Sequence, residues 1–495
     1  MILDKFRGGR ETAPDLARAK LTTVKERRVG RLYAKHIRLF RKDAAMRHIK
    51  LAFWGALALL TALWLLAVPD VLQAASFMGL RGFMVQYSGL LAMFAMSMAL
   101  VLALRPRWPE RWFGGLDKMY RLHKWLGITA LVVAIAHWVW GQAPKWAVAW
   151  GLMERGTRGA RPPIEDPIRQ FLMSYRGIAE GLGEWAYYAS VVLIALALIK
   201  YFPYRLFYKT HRLIAIAYLV LVFHSVVLME FDYWTTPVGI FMAISMIAGT
   251  YAALVALFRR VGVARQVTGT IAALQYYPGV KALEVVIDVP QGWPGHKPGQ
   301  FAFAMSDRRE GAHPYTIASA WDDENRRIIF VAKELGDHTG LLRNKLKVGQ
   351  EVKIEGPYGC FDFEDIQPSQ IWIGGGIGIT PFIAAMKHLA EVRCDHRGKS
   401  LSEIDLFHST REYDEAAIAK LTEDAKAAGI RMHVLVDARD GRLSGDRIRE
   451  LVPEWRNASI WFCGPAGFGQ ALRQDFAHHG LPVAERFHQE IFAMR

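Results

Sequence analysis

The sequence predicts a two-part fold: a bundle of six membrane-spanning helices, then a globular half made of a small antiparallel β-barrel and an α/β domain. Three observations predict it. Six charge-free apolar runs crowd into residues 51–258. Four histidines stand on two of the predicted helices. From about Val263 the composition turns globular, with short β-rich runs broken by glycine and proline, then strand–glycine turn–helix patterning after Gln370.

The apolar runs are Leu51–Val68, Phe83–Leu104, Trp125–Trp140, Trp185–Ile199, Leu213–Met229 and Tyr233–Phe258. Several have the roughly 18–20 residues that cross a bilayer core. Trp125–Trp140 and Trp185–Ile199 are shorter and need flanking turns to span. One such run alone reads as a buried core helix, but six in succession read as membrane.

Lysine and arginine set the orientation. The first 50 residues carry 15 Lys/Arg against 5 Asp/Glu. The loops Arg105–Lys124 and Lys200–Arg212 are basic, and Arg259, Arg260 and Arg265 follow the last run, whereas Pro69–Arg81 and Glu230–Thr236 are sparse or acidic. Both termini are expected in the cytoplasm, with the bundle in the cell (inner) membrane. A basic leader of about 50 residues is too long for the charged part of a cleaved signal. The net charge of +16 does not point to nucleic acid, because much of it lies in that arm and those loops. The arm Leu16–Lys50 reads either as a basic amphipathic helix on anionic lipid or as a solvated leader. The three cysteines, Cys360, Cys394 and Cys463, form no CxxC, which argues against structural disulfides and structural zinc.

Ionisable groups inside a membrane are costly and tend to be functional. His123 and His137 mark the third span, His211 and His224 the fifth, each span with one near its inner end and one near its outer end. Spacings of 14 and 13 residues are roughly 20 Å along a helix. Two helices so marked can hold two haem irons stacked across the bilayer, His123 with His211 at the inner one and His137 with His224 at the outer one. One point resists: on an ideal helix 14 residues return to within about 40° of the same face, but 13 leave His211 and His224 about 140° apart. Either the fifth helix is distorted or the two irons are approached from different sides.

In the globular half, Gln266–Thr270, Leu283–Val289 and Phe301–Met305 read as barrel strands. The stretch IWIGGGIGITPF runs from the strand Ile371–Ile373 through Gly374, Gly375, Gly376, Ile377 and Gly378 to Thr380 and Pro381, which open a helix. Glycines there let the backbone approach a pyrophosphate, and Thr380 is placed to cap. The pattern departs from GxGxxG.

In combination these features resemble the NADPH oxidase and ferric reductase superfamily, its bacterial transmembrane flavocytochrome b members in particular, over about residues 50–495. The resemblance implies a ferredoxin-reductase-like cytosolic module and divides the chain into an arm (1–50), a haem-binding membrane domain (51–260), an FAD-binding barrel (264–366) and an NADPH-binding α/β domain (367–495). His313, Pro314, Tyr315, Thr316, Ile317, Ala318 and Ser319 match the family's flavin motif. By that match Tyr315 lies along the isoalloxazine, Thr316 meets its reactive edge and His313 helps place it. Gly336, Asp337, His338, Thr339 and Gly340 resemble the loop that holds the FAD phosphates, and residues 297–301 and 356–359 match further flavin segments. The glycine loop is similar to the family's NADPH loop. Cys463, Gly464 and Pro465 match the turn that brings a cysteine near the nicotinamide. Phe492, in GluIlePhe, resembles the ring that covers the flavin. Ser409 and Arg411 fall where the superfamily recognises the ribose 2′-phosphate, which favours NADPH over NADH.

Thr316, Cys463 and Phe492 are thus expected at the hydride step, with FAD, NADPH and two haem b as cofactors. The expected activity is electron transfer across the membrane to a small acceptor, dioxygen giving superoxide first. A ferric chelate is the alternative, or a subunit that delivers electrons to a quinone or partner protein. Some features depart from the family. The chain runs three residues past Phe492, no calcium loop occurs, and Gly141 stands four residues after His137, where oxygen-reducing members often place a histidine. Arg81 reads either as an outer haem or oxygen group or as a helix anchor. The long segment Gly141–Gly183 reads either as a roof over the outer haem or as a disordered connection.

Overall fold

The computed structural model describes residues 47–490 apart from 75, 155–164, 200, 308–309 and 396–402. The basic arm before Arg47 and the role expected of Phe492 lie outside the described residues.

Six helices are long and apolar enough to cross a membrane: α1 (Arg47–Ala67), α2 (Phe77–Ala103), α3 (Leu116–Ala149), α4 (Arg176–Leu198), α5 (Tyr204–Leu228) and α6 (Pro237–Leu257). Arg47–Lys50, grouped with the arm by sequence, belong to α1. Local signals set the ends. The Ser76 hydroxyl accepts from the Gly79 N–H at 3.1 Å, and Pro237 occupies the first turn of α6, where its missing N–H costs nothing.

α2 lies at the centre and buries small residues, among them Ser88, Ala92, Ala95, Ser97 and Ala99. Small side chains let helices approach closely where lipid offers no hydrophobic drive to association. Ser97 also hydrogen-bonds the Tyr218 hydroxyl of α5 at 2.7 Å, satisfying both groups inside the bundle.

α3 has 34 residues, about 50 Å at 1.5 Å per residue, well beyond a hydrocarbon core of about 30 Å. It absorbs the polar flanks that made the apolar run look short. Pro144 sits inside it and has no N–H for the Trp140 carbonyl. The Arg81 guanidinium fills that role: Nε donates to the Trp140 carbonyl at 3.2 Å and Nη2 to the Gly141 carbonyl at 3.4 Å. Of the two roles open for Arg81, this is the geometry of a helix anchor. The segment that reads as a roof or a connection is largely helical where it is described. α3 continues to Ala149, and a short helix, Pro167–Ser174, is capped by Asp166 before α4 begins. Ile168, Phe171 and Leu172 recur at helical spacing on that short helix, the pattern of a segment lying in the membrane interface.

Beyond α6 the chain forms a six-stranded antiparallel sheet in the order β4-β3-β6-β1-β2-β5. Its strands are β1 (Gln266–Tyr277), β2 (Ala282–Asp288), β3 (Phe301–Met305), β4 (His313–Thr316), β5 (Arg327–Lys333) and β6 (Glu351–Tyr358). A bridge between Ile317 and Phe330 joins its two outer edges, so the sheet curls into a barrel around Ile271, Val285, Ile328 and Ile354. A second, parallel sheet has the order β11-β10-β7-β8-β9, with β7 (Ser369–Gly375), β8 (Glu403–Thr410), β9 (Arg431–Val436), β10 (Ala458–Cys463) and β11 (Phe487–Gln489). Its central strands β7 and β10 are buried on both faces, the reason Ile371–Ile373 and Ile460–Cys463 read as continuous apolar runs.

The membrane core does not end at the bundle. Phe301, Phe303 and Tyr358 of the barrel share one buried cluster with Phe113, Leu116 and Met119 at the barrel-facing end of the helices. The flavin-type barrel is therefore packed onto the bundle, not only tethered to it.

Candidate haem, flavin and nucleotide sites

The helices bring the four histidines together as two pairs. The rings of His123 and His211 lie 6.0 Å apart, centre to centre, and those of His137 and His224 6.3 Å apart. Two imidazoles on one metal ion, with bonds of about 2 Å and each nitrogen about 1.2 Å from its ring centre, stand roughly 6 Å apart. Both pairs have that separation, with ring planes crossed at 72° and 82°. α5 runs unbroken from Tyr204 to Leu228, so the angular mismatch is not absorbed by a break. His211 and His224 meet their partners from different sides of α5.

The backbone orients three of the rings. Nδ1 of His123 bonds the Ala99 carbonyl at 2.8 Å, that of His137 the Val85 carbonyl at 2.9 Å, and that of His224 the Ala179 carbonyl at 2.9 Å. A carbonyl only accepts, so Nδ1 carries the proton and Nε2 keeps its lone pair for a metal. Nδ1 of His211 is buried with no hydrogen-bond partner among the described residues, and its ring stacks on Phe207 at 5.0 Å. The helices also leave room where the rings press. A Cβ on Gly183 would stand 2.0 Å from Nδ1 of His224, and one on Gly89 3.3 Å from Cε1 of His137. Paired neutral donors, a fixed tautomer and small residues behind the rings fit bis-imidazole iron. Neither glycine was singled out from sequence, where nothing distinguishes it from other helix glycines.

In the barrel, β4 pairs along β3 in the register Phe301↔Thr316, Ala302↔Tyr315, Phe303↔Pro314 and Ala304↔His313. His313, Tyr315 and Thr316 remain partly exposed. Ile317, Ala318 and Ser319 turn inward at 0%, 1% and 5% exposure. The Ser319 hydroxyl accepts from the Ile329 N–H and lies 3.1 Å from Nε2 of His296, so it is engaged inside the barrel. The segment 336–340 opens helix α7 (Asp337–Lys345), where the Thr339 hydroxyl accepts from the N–H groups of Leu335 and Gly336 at 3.0 and 3.2 Å. A helix start of this kind suits phosphate. The two flavin motifs meet: His313 and His338 stack at 3.8 Å and 11°. Burial, with His338 alongside, holds His313 down to about 4, and burial lowers His338 as well. Glu310 stands near both rings, but parallel stacked imidazoles do not converge on one ion.

In the α/β domain, β7 delivers Gly374 and Gly375 to a 3₁₀ turn, Gly376–Ile379, that runs straight into α8 (Thr380–Asp395). That leaves no cap position outside the helix, and Thr380 does not cap. Its hydroxyl donates to the Ile377 carbonyl at 2.7 Å. Pro381 follows in the first turn. The Cys463 turn nests against this loop: Cys463 pairs with Gly374, and Pro465 stands 2.9 Å from where a Gly375 Cβ would lie. A Cβ on Gly378 would fall 2.2 Å from the Cys463 carbonyl oxygen and 2.9 Å from the Gly464 Cα. The Cys463 thiol is fully buried and pushed well up by that burial, with Glu490 adding to it. Glu490, given no role from sequence, is buried beside it, and burial also pushes its carboxyl well up. Ser409 sits at the end of β8 between Gly375 and Leu435. Arg411 is 81% exposed, with Nε 3.8 Å from the Asp437 carboxylate.

A six-helix bundle with paired histidines, joined to an antiparallel barrel and a parallel α/β domain, defines a membrane-embedded flavin reductase. Comparison with known families agrees. Residues 88–222 match the ferric reductase like transmembrane component and residues 267–362 match an FAD-binding domain. In that order they make the architecture of the NADPH oxidase and ferric reductase superfamily, and it is the architecture of this multi-pass membrane protein. Among curated proteins, a flavohemoprotein of Giardia intestinalis is 26% identical over 277 residues, covering 46% of this chain and 58% of that protein. An NADPH oxidoreductase of Mycobacterium tuberculosis is 27% identical over 212 residues, covering 40% and 53%. The chain thus spans about half the length of the curated relatives it matches. Among solved structures, the FAD/NAD-binding domain of nitric oxide dioxygenase from Vibrio cholerae aligns with a TM-score of 0.39 at 22% identity, over 46% of this chain and 98% of that one.

Proposed function

We propose that this protein carries electrons from cytosolic NADPH across the cell membrane to an acceptor on the outer side, dioxygen first, yielding superoxide. The observation that supports this best is the two histidine pairs at iron-bridging separation, stacked above a flavin-type barrel packed on the same bundle. When bound, FAD takes the hydride of NADPH as an electron pair and releases it singly, and two haem b irons relay single electrons. The overall balance is one NADPH and two dioxygen to NADP⁺, a proton and two superoxide.

The residues orient and insulate. The glycine loop Gly374–Gly378 with the helix start at Thr380 and Pro381 holds the dinucleotide phosphates, and Ser409 and Arg411 read its 2′-phosphate. Cys463 borders the nicotinamide, and Phe492 covers the flavin until the nicotinamide displaces it. Tyr315 and Thr316 line the flavin, His313 helps place it, and the Gly336–Gly340 segment holds its phosphates. His123 and His211 grip the inner haem, His137 and His224 the outer. With His137 and His224 both engaged by the outer haem, neither would leave a place for the acceptor at the iron, and the haem would supply single electrons to it from outside.

A ferric chelate is the second reading, favoured by one observation: Gly141 stands one turn beyond His137, where oxygen-reducing members of the superfamily often place a histidine. The deciding test supplies NADPH to the purified chain and measures dismutase-sensitive dye reduction in air, then reduction of ferric citrate without oxygen. A dismutase-sensitive signal that vanishes without oxygen supports dioxygen. Fast anaerobic iron reduction with no superoxide in air promotes the chelate.

A further inference from the structure

Directly after α2, Arg105 adopts φ of 56°, a left-handed conformation that costs a branched-out L residue energy and persists only where its surroundings hold it. Its guanidinium reaches out of the membrane domain into the barrel. Nη1 donates to Glu355 at 2.6 Å, Nε to the Tyr120 hydroxyl at 2.8 Å, and Cζ lies over the Phe303 ring, 3.8 Å from its centre. Glu355 is 4% exposed and fully engaged. It also accepts from the Tyr358 hydroxyl at 2.6 Å and from Gln266 at 3.4 Å. Arg265, between α6 and β1, closes the ring by donating to the Arg105 carbonyl at 2.9 Å. In the same linker Gly262, φ +72°, has no room for a side chain, since a Cβ would fall 2.0 Å from Cδ of Glu355. A second tie lies beside this one, from the Gly359 N–H to the Glu110 carboxylate at 2.8 Å.

The network ends at the inner haem site. Tyr120 stands edge-on to His123 at 6.4 Å, one helical turn before it, and α2, which Arg105 terminates, supplies the carbonyl that orients His123. On the other side, Phe303 pairs with Pro314 of the flavin segment. One partly buried cation thus bridges the strand pair that carries the flavin motif and the helix that carries an inner-haem ligand.

We propose that Arg105 is a positioning residue that fixes the flavin barrel against the inner-haem end of the bundle. It thereby controls flavin-to-haem electron transfer, not hydride entry. This rests on the electron path proposed above. Electron tunnelling depends steeply on donor–acceptor separation, whereas hydride transfer is completed within the barrel and α/β domain. Loosening the joint should therefore separate the two steps.

The test uses the full-length chain loaded with FAD and haem, mixed anaerobically with NADPH while flavin and haem absorbance are followed together. Arg105→Gln and Glu355→Gln should leave flavin reduction within about twofold of wild type and slow haem reduction about tenfold or more. Arg105→Lys keeps a charge facing Glu355 and should recover part of the rate. Each single neutral variant strands a buried partner, so the double variant Arg105→Gln/Glu355→Gln serves where a single one fails to fold. It too should show fast flavin and slow haem reduction. Wild-type haem reduction in these variants, or equal slowing of both steps, overturns the proposal. A wild-type chain that reduces its flavin and never passes electrons to haem overturns the electron path itself and this proposal with it, and is recognised without any variant.

Discussion

Gly183→Ala is the sharpest test of how His224 is held. The added methyl would stand 2.0 Å from Nδ1 of His224, against an ordinary contact of 3.4 Å or more. The imidazole must retreat by about 1.4 Å to reach that contact, and the 2.9 Å bond from Nδ1 to the Ala179 carbonyl is lost with it. Losing a hydrogen bond that orients a metal-bound histidine typically costs about 10- to 100-fold in metal affinity. The assay is haem loss from the purified protein to an excess of a haem-scavenging apoprotein, with stoichiometry read before and after. The variant should release one of its two haems about 10- to 100-fold faster and keep the other at the wild-type rate. Gly181→Ala is the control: two residues earlier on the same helix, its Cβ would meet nothing within 4 Å, and both haems should stay. Wild-type retention in Gly183→Ala would refute the role assigned to His224.

Arg411→Ala should raise the Michaelis constant for NADPH about 10- to 100-fold, the typical worth of a charge-assisted hydrogen bond, and barely change that for NADH. Equal effects on both would return Arg411 to its pair with Asp437. Thr316→Val should slow flavin reduction or weaken FAD retention, and Phe492→Ala should change nicotinamide affinity while sparing haem content; stopped-flow flavin reduction and cofactor content check both. The His313–His338 stack predicts a pH dependence. His313 is held down to about 4, whereas an unfolded histidine titrates near 6.5. Between those values the unfolded chain binds more protons, so stability is full above about 6.5 and falls as pH drops toward 4. Thermal melts of the flavin-loaded protein should show a shallower acid loss in His313→Gln than in wild type, and superimposable curves would contradict this.

The six spans were readable because a bilayer demands long apolar runs, and six in succession, unlike one alone, do not read as buried core helices. Their true lengths were not. The third run ends at Trp140 in composition, but α3 runs from Leu116 to Ala149 because polar flanks continue a helix once it is nucleated. The histidine pairing was legible from depth alone. Ideal-helix angles raised an objection that only side-chain direction answers, since His211 and His224 reach different sides of an unbroken α5. Thr380 showed the limit of a local signal: a cap needs a non-helical residue before the helix, and the preceding 3₁₀ turn removes it. Arg105 and Glu355 lie 250 residues apart. No periodicity or motif links residues so distant, so the joint between the domains could be seen only once the chain was folded.

The central claim, a single chain that moves electrons from NADPH through flavin to two bis-histidine haems, is met most directly by one anaerobic measurement. The purified protein, with haem counted per chain, is mixed with NADPH and its absorption spectrum followed to completion. Two haems per chain should show the low-spin spectrum of bis-imidazole iron, and both should be reduced by NADPH with no added partner. His137→Ala or His224→Ala should leave one haem, still reducible. A stoichiometry of one or none, or two haems that stay oxidised beside a reduced flavin, would contradict the account.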